Sequence, residues 1–174
     1  SPDCETKEHV DQLRNFRFVD EITVVTAGIN GKMSEINAAF GLLQLKYIDQ
    51  ALHQRKAIDQ AYREALASTP GVRLQAMNKN GVCNYAYLPM LVEDDYPLTR
   101  DELYDALKAQ NIYARRYFYP LITDMAAYKE VDSLRRHPTP EAEEIARKVI
   151  CLPIYPDLPA ADVEKIVSII REFG

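Results

Sequence analysis

Apolar residues at helical spacing dominate the first part of the chain. Val10, Leu13 and Phe16 recur at steps of three within the polar stretch 1–20, which opens with a cap-and-proline signal at Ser1-Pro2-Asp3. A longer pattern follows Ser34, a residue type that caps helices, and Glu35 stands where the helix dipole favours a carboxylate. The apolar positions of this pattern are Ile36, Ala39, Phe40, Leu43, Tyr47, Ile48, Ile58, Ala61, Tyr62, Ala65 and Leu66.

We therefore expect one long helix from Ser34 to about Ala67, ended by Pro70-Gly71. A helix of this length is typical of an element that crosses between domains or lies along a subunit interface. Before it, the β-branched run Glu21–Thr26 predicts a strand or extended segment, and Gly28-Ile29-Asn30-Gly31 interrupts regular structure.

The second half alternates between short strands and helices. Strands are predicted at 72–74, 83–92, 112–114 and 150–154, with a turn around 78–81. Helices are predicted from the Thr99 cap to about 110, from Pro140 to about 149 and at 162–173. Pro89 implies an edge or irregular position in its strand, because proline donates no ladder hydrogen bond. The fold class that this alternation predicts is α/β, with a mixed, few-stranded sheet and helices on one side.

Composition excludes several classes of protein. The chain of 174 residues is 47% hydrophobic and 27% charged, which argues against disorder. Its net charge of -5, with basic residues spread along the sequence, argues against a nucleic-acid partner. No apolar run approaches the roughly 20 residues of a membrane span, so no membrane partner is expected. Cys4, Cys83 and Cys151 are odd in number and far apart, so we expect neither a zinc site nor a redox pair, and a reducing cytoplasm is the expected compartment.

Common catalytic motifs are missing from the sequence. It contains no GxSxG, no P-loop and no GxGxxG pattern. His9, His53 and His137 have no metal-ligand spacing and are expected to be solvated. Cys151 lies in the apolar run 150–154 and is expected to be a buried, inert thiol, because no positive partner stands beside it in that run.

Two segments allow a functional interpretation beside a structural one. In Gly28–Glu35, backbone N–H groups, Asn30 and Lys32 can hold a phosphate or carboxylate at a helix entry; the alternative is a turn followed by an N-cap. In Tyr113–Pro120, two arginines among three tyrosines suit a diphosphate or a cluster of sugar hydroxyls. The alternative there is a surface loop of solvated arginines and half-buried rings.

Taken together, these segments resemble a known family. Residues 28–45, GINGKMSEINAAFGLLQL, resemble the G-x-N-x-[RK]-[ML]-[ST]-E-I-x-A-A-x-G-x-x-Q-L signature of the DegT/StrS sugar aminotransferases. Leu13-Arg14-Asn15-Phe16 resembles the family's L-R-N-[FH]-G segment, with Arg17 in place of glycine. Residues 111–121 resemble its G-I-x-x-R-x-[HY]-[FY]-x-P-L loop, and residues 149–158 resemble its V-L-x-L-P-L-[YH]-P-x-L segment.

The resemblance implies a pyridoxal-phosphate (PLP) enzyme of the aspartate-aminotransferase fold (type I), of which this chain is a C-terminal part. Residues 1–33 would be the tail of the large PLP-binding domain, and residues 34–174 the long connecting helix and the small domain. The family's Schiff-base lysine precedes this segment, and none of Lys7, Lys32, Lys46 or Lys56 stands in its motif. The chain alone is therefore expected to be inactive and to retain no PLP.

The whole enzyme would move an amino group from an amino acid such as glutamate to a keto-deoxyhexose linked to a nucleotide, in deoxysugar biosynthesis for lipopolysaccharide O-antigen. The resemblance implies a cytoplasmic homodimer with shared active sites. Asn30 and Lys32 would contact the cofactor phosphate of the partner subunit. Arg115, Tyr117 and Tyr119 would face the nucleotide sugar or the carboxylate of the amino donor.

Other functions stay open at this point. The chain can instead be a non-catalytic module that dimerises through the long helix or binds a small anion. A third possibility is the same fold acting on a keto substrate that is not a nucleotide sugar, such as an amino-cyclitol precursor.

Overall fold

The computed structural model describes residues 3–77, 80–128 and 138–174. Its helices and strands, in chain order, are α1 (Cys4–Arg14), α2 (Glu35–Leu66), β1 (Val72–Leu74), β2 (Leu88–Val92), α3 (Arg100–Ala109), a 3-10 turn (Ile122–Asp124), α4 (Pro140–Lys148), β3 (Val149–Leu152) and α5 (Ala160–Phe173). The predicted α/β class is confirmed. No helix among these residues is long and apolar enough to cross a membrane.

Contacts divide the chain into two units, Ser1–Ile48 and Asp49–Gly174. The first unit contains α1 and the first part of α2, and the second contains the rest of α2 and all three strands. The assignment of 1–33 to a large domain and 34–174 to a small domain remains a prediction.

The first unit begins with a capped helix. The Asp3 carboxylate accepts a hydrogen bond from the Thr6 N–H at 2.6 Å, so Asp3 is the cap residue of the predicted helix entry. The predicted strand at Glu21–Thr26 does not form, and an isolated bridge joins Phe18 and Val24 instead. The reason is the Asp20 carboxylate, which accepts hydrogen bonds from the Ile22 and Thr23 N–H groups at 2.9 and 2.7 Å and folds the segment into a turn.

Helix α2 is continuous over 32 residues, and its bounds confirm the long helix expected from the sequence. The Ser34 hydroxyl accepts a hydrogen bond from the Asn37 N–H at 3.3 Å, as an N-cap does. Its four buried residues, Ile58, Asp59, Tyr62 and Leu66, all lie in the second unit.

The sheet has three strands in the order β1-β2-β3. Both pairings are antiparallel, so within the described residues the predicted mixed sheet is corrected to an antiparallel one. In β2, buried and half-buried residues alternate, which leaves one face fully packed, as in a two-layer α/β fold. Residues packed on this sheet from α2, α3 and α5 complete the core; the largest fully buried side chains are Tyr62, Leu88, Met90, Leu103, Leu107, Ile150 and Ile170.

The expectation that Pro89 marks an edge or irregular strand is wrong, because β2 is the central strand. Proline is tolerated at this position because no backbone carbonyl opposite it on a neighbouring strand lacks a hydrogen-bond donor. The Gln75 N–H donates to the Pro89 carbonyl at 3.3 Å, whereas the Gln75 carbonyl accepts from Arg63 Nη1 at 2.7 Å. On the other side, the backbone N–H and C=O of Cys151, the residue opposite Pro89, both bond to Arg115.

The strand predicted at 72–74 forms as β1, whereas the other predicted strands are shorter than expected. The run 83–92 contributes only Leu88–Val92, because the Asn84 side chain accepts from the Ala86 N–H at 3.1 Å and Tyr85 has a φ of 49°. The expected strand at 112–114 is replaced by an isolated bridge between Arg115 and Cys151. Part of the predicted turn at 78–81 lies outside the described residues.

The predicted helices of the second half form, and α3 has the predicted Thr99 cap. Thr99 and Glu102 make a reciprocal capping box at the start of α3. Helix α4 starts at Pro140, and α5 buries Val163, Ile166 and Ile170 as its periodicity predicts.

Candidate active site

The segment that joins Gly28 to Lys32 is held by backbone hydrogen bonds to the end of α1. The Ile29 N–H donates to the Leu13 carbonyl at 2.9 Å, and the Gly31 N–H donates to the Arg14 carbonyl at 2.8 Å. Gly28 approaches the backbone of Arg17 so closely that a Cβ there would lie 2.5 Å from its nitrogen. The loop is therefore fixed by its backbone, and glycine is required at its start.

The side chains of Asn30 and Lys32 are exposed on this loop. Lys32 Nζ lies 5.5 Å from the centroid of the Phe16 ring, a cation–π contact. Neither side chain has a hydrogen-bond or ion-pair partner among residues 3–77, 80–128 and 138–174. The loop thus presents an amide and an ammonium group that are available to an external anion.

In the second unit, the first of the predicted site residues is Arg115. Its position is set by a backbone bridge to the sheet. Its N–H donates to the Cys151 carbonyl at 3.0 Å, and its carbonyl accepts from the Cys151 N–H at 2.7 Å. This bridge fixes Arg115 beside β3, while its side chain remains exposed.

Tyr117 and Tyr119 belong to different packing groups. The Tyr117 ring lies between those of Tyr87 and Phe118, at centroid distances of 5.0 and 4.3 Å. The Tyr119 ring is contacted by two guanidinium groups, those of Arg100 at 4.8 Å and Arg116 at 5.1 Å. Tyr117 therefore contacts Tyr87, which lies in the region around Arg115. Tyr119 instead stacks on the buried Arg100.

A cleft of about 400 Å³ contains Arg115 and Tyr87, together with Arg55, Cys151 and Tyr155. Its other lining residues are Ala86, Leu152, Pro153 and Ile154. This size falls within the range of small-molecule sites. Two cationic side chains and two phenol groups around one cleft suit a ligand with an anionic group and hydroxyls.

Sequence analysis missed Arg55. The sequence feature that indicates Arg55 is its position in the helical pattern. Arg55 precedes the buried residues Ile58, Tyr62 and Leu66 by three, seven and eleven positions. It therefore lies on the stripe of α2 that faces the core, which is an unusual position for an arginine in the absence of an acidic partner.

Cys151 is buried, as the sequence predicted. Burial raises the pKa of its thiol to about 11, and the nearby positive charge of Arg115 opposes that shift. This cationic neighbour is 36 positions away in the sequence, and the Arg115–Cys151 bridge brings it beside the thiol. The thiol remains protonated at neutral pH and does not act as a nucleophile or as a negative charge.

The histidines and carboxylates point to no metal site. Within the described residues, no group of three or more His, Cys, Asp or Glu side chains is arranged to hold a metal ion. His9 Nδ1 lies 3.1 Å from Arg17 Nη2, His53 is exposed, and His137 lies outside the described residues.

Comparison with known proteins identifies the family. Residues 1–171 match the DegT/DnrJ/EryC1/StrS aminotransferase family. The chain belongs to this family. The predicted resemblance is confirmed over nearly the whole sequence.

The chain also matches individual proteins, among them a curated relative and a solved structure. The chain is 48% identical over 170 residues to a dTDP-4-amino-4,6-dideoxy-D-glucose transaminase of Escherichia coli, covering 98% of this chain and 46% of that protein. Among solved structures, DesI in the presence of its TDP-sugar product matches with a TM-score of 0.81 and 27% identity, over 99% of this chain and 43% of DesI.

A crystal structure from Bacillus cereus, described as that of a putative PLP-dependent aminotransferase, also matches. The TM-score is 0.79 and the identity 26%, over 98% of this chain and 45% of that one. The chain thus spans somewhat less than half the length of these three proteins.

Proposed function

We propose that this chain is part of a PLP-dependent aminotransferase that acts on a nucleotide sugar. The acceptor is a dTDP-linked 4-keto-6-deoxyhexose, with glutamate as the amino donor. The observation that carries the proposal is the 48% identity, over 98% of the chain, to a dTDP-4-amino-4,6-dideoxy-D-glucose transaminase. The likeness to DesI, solved with a TDP-sugar, supports the same substrate class.

The residues of this chain fit the phosphate end of PLP. Asn30 and Lys32 are exposed, lack partners among the described residues and project from a loop whose backbone is already fixed. An amide donor and a point positive charge suit a phosphate dianion. When bound, PLP carries the amino group between donor and acceptor.

We propose that the covalent anchor of PLP, the Schiff-base lysine, comes from chain outside these 174 residues. None of Lys7, Lys32, Lys46 or Lys56 stands in the family's Schiff-base motif. The 174 residues alone are then inactive and do not retain PLP. Residues 1–33 would be the end of the large domain, and 34–174 the connecting helix and the type I small domain.

On the substrate side, Arg115 would bind an anionic group and Tyr117 a sugar hydroxyl. Arg115 is exposed beside β3 and has no described ion-pair partner, while aromatic contacts on two sides fix the Tyr117 ring. Tyr119 would act at the edge of the same loop, positioned by its stacking on Arg100 and Arg116. These residues bind and orient the acceptor rather than react with it.

A homodimer is part of the proposal. The first part of α2 exposes a stripe of apolar residues, Ile36 (82% exposed), Phe40 (61%), Leu43 (50%) and Tyr47 (52%), at helical spacing. Exposed apolar stripes of this kind favour burial against another protein surface. The enzyme would work in the cytoplasm in deoxysugar biosynthesis, and each subunit would supply Asn30 and Lys32 to its partner's cofactor.

The stripe also supports the second candidate, a non-catalytic module that dimerises or binds a small anion. The cofactor separates the two, because only the aminotransferase needs PLP. In the longer protein that includes this chain, Asn30→Ala should weaken PLP binding by about tenfold, the effect of losing one charge-assisted hydrogen bond. Equilibrium dialysis of PLP measures this, with thermal unfolding of the apoprotein as a check on folding.

Asn37→Ala is the matched control, since Asn37 is also an exposed amide but lies on α2. It should leave PLP affinity unchanged. Equal PLP affinity in the wild-type and Asn30→Ala proteins would refute the phosphate role of Asn30. No PLP binding by the wild-type protein would favour the non-catalytic module.

A further inference from the structure

The arginines of the described residues are mostly paired. Arg63 donates to both oxygens of Asp59, Arg73 to Glu93, and Arg100 to Asp101 and two backbone carbonyls. Among residues 3–77, 80–128 and 138–174, three arginine side chains have no hydrogen-bond or ion-pair partner: those of Arg55, Arg115 and Arg147.

Two of these three, Arg55 and Arg115, line the same cleft of the second unit, between α2 and the end of β3. The Nε of Arg55 is buried and has no acceptor. A buried guanidinium N–H without an acceptor is unfavourable, and two like charges around one cleft repel each other. The repulsion is relieved when an anion with several acceptor oxygens enters the cleft and contacts both guanidinium groups.

The carboxylate nearest to Arg55 along the helix does not neutralise it. Asp59 lies one turn further on, at a spacing where ion pairs form, but Arg63 occupies both of its oxygens at 2.7 and 3.2 Å. Cys151, which also lines the cleft, is kept as a neutral thiol by burial. Tyr87 and Tyr155 complete the lining with hydroxyl groups that donate to an anion.

We propose that Arg55 and Arg115 form a two-arginine oxyanion site in this cleft, with Arg55 as a substrate-binding residue. The bound group is a phosphate or a carboxylate. Its source rests on the proposed function, which supplies two candidates: the diphosphate of the nucleotide sugar and a carboxylate of glutamate. The charge of the cleft itself does not depend on that function.

Isothermal titration calorimetry at low salt tests the site on the longer protein that includes this chain. Inorganic pyrophosphate stands for the diphosphate, and L-glutamate for the amino donor. The ligand that binds more tightly identifies the source. Arg55→Gln and Arg115→Gln should each weaken its binding by about tenfold, because each removes a charge-assisted hydrogen bond.

The matched control is Arg147→Gln. Arg147 is exposed on α4, has no described partner and lies outside the cleft, so this variant removes the same charge elsewhere. Its affinity should stay within about twofold of wild type, as expected for a screened, distant charge. Arg55→Lys keeps the charge without the planar fork and should fall between wild type and Arg55→Gln. Circular dichroism confirms that each variant is folded.

Absence of binding by either anion, or equal losses from Arg55→Gln and Arg147→Gln, overturns the site. This failure is distinguishable from failure of the proposed function. Anion binding without amino transfer by the longer protein would refute the aminotransferase and leave the cleft in place. Amino transfer by the longer protein, with no loss of anion affinity in Arg55→Gln, would support the aminotransferase and refute the oxyanion site.

Discussion

Arginine side chains in the second unit show how burial separates structural from ligand-binding roles. Arg100 is 3% exposed, and its Nη1 donates to the carbonyls of Ala146 and Val149 at 2.8 and 3.0 Å. It therefore ties the start of α3 to the junction of α4 and β3. Arg115 is exposed and makes none of these contacts, which leaves its guanidinium for a ligand.

Arg100→Met should destabilise the protein by about 2–4 kcal/mol, because it leaves two buried carbonyls without their donor. Arg116→Met is the matched control. Arg116 also contacts Asp101 and the Tyr119 ring, but its side chain is 36% exposed. The control should cost less than about 1 kcal/mol. Urea unfolding measures both, and equal costs would contradict the structural role of Arg100.

Arg115→Ala should act on substrate binding instead. In the longer protein it should raise the Michaelis constant of the substrate whose anion it holds by about tenfold, with a smaller change in kcat. Steady-state kinetics with the nucleotide sugar and with glutamate measure the effect separately. Unchanged constants for both substrates would return Arg115 to the surface-loop interpretation.

At the residue scale, sequence analysis selected Asn30, Lys32, Arg115, Tyr117 and Tyr119 through short motifs, and their roles remain predictions. It did not select Arg55, because an arginine within a helical pattern is usually solvated. The burial of its Nε depends on the packing of α2 within the second unit. Its lack of an acidic partner depends on the ion pair between Asp59 and Arg63. Neither condition can be read from neighbouring residues.

At the scale of elements, helices were predictable because their start signals are local. The capping box of α3 is the clearest case, with Thr99 and Glu102 bonded reciprocally. Strands were less predictable, because side chains of Asp20 and Asn84 capture backbone N–H groups and stop pairing. The tolerance of the central strand for Pro89 depends on Arg63, which is distant in sequence.

The capping box leads to a prediction for pH. Hydrogen bonds from the Thr99 backbone and side chain lower the pKa of Glu102 in the folded protein. Because the pKa of Glu102 is lowered in the folded protein, its ionised form contributes to the stability of the fold. This stabilisation is complete above the ordinary glutamate pKa and is lost as the pH falls through the folded pKa. Thr99→Ala should cost about 1 kcal/mol at pH 7, measured by urea unfolding.

The cost of Thr99→Ala should shrink as the pH is lowered below the ordinary glutamate pKa, because protonation of Glu102 already weakens the box in the wild-type protein. Glu102→Gln gives the control, since it cannot ionise at this position. In that background the remaining cost of Thr99→Ala should vary less with pH. A cost that stays constant through the acidic range in the wild-type background would contradict the role of the ionised carboxylate.

At the scale of the whole molecule, the family and the α/β class followed from the sequence, because the motifs are contiguous and occur in order. The division of the contacts at Ile48–Asp49 did not follow from it, since α2 continues through that point without a break in periodicity. The chain spans about half of the transaminase it matches at 48% identity. We propose that amino transfer belongs to a longer protein, to which this chain would contribute anion-binding groups.

Amino transfer by that longer protein is the most direct test of the account. The protein is incubated with PLP, ¹⁵N-labelled L-glutamate and dTDP-4-keto-6-deoxy-D-glucose, and the nucleotide sugar is analysed by mass spectrometry. The account predicts a dTDP-4-amino-4,6-dideoxyhexose that carries the label, and no such product from the 174-residue chain alone. An unchanged keto sugar, with PLP bound and the protein folded, would contradict the proposed substrate and reaction.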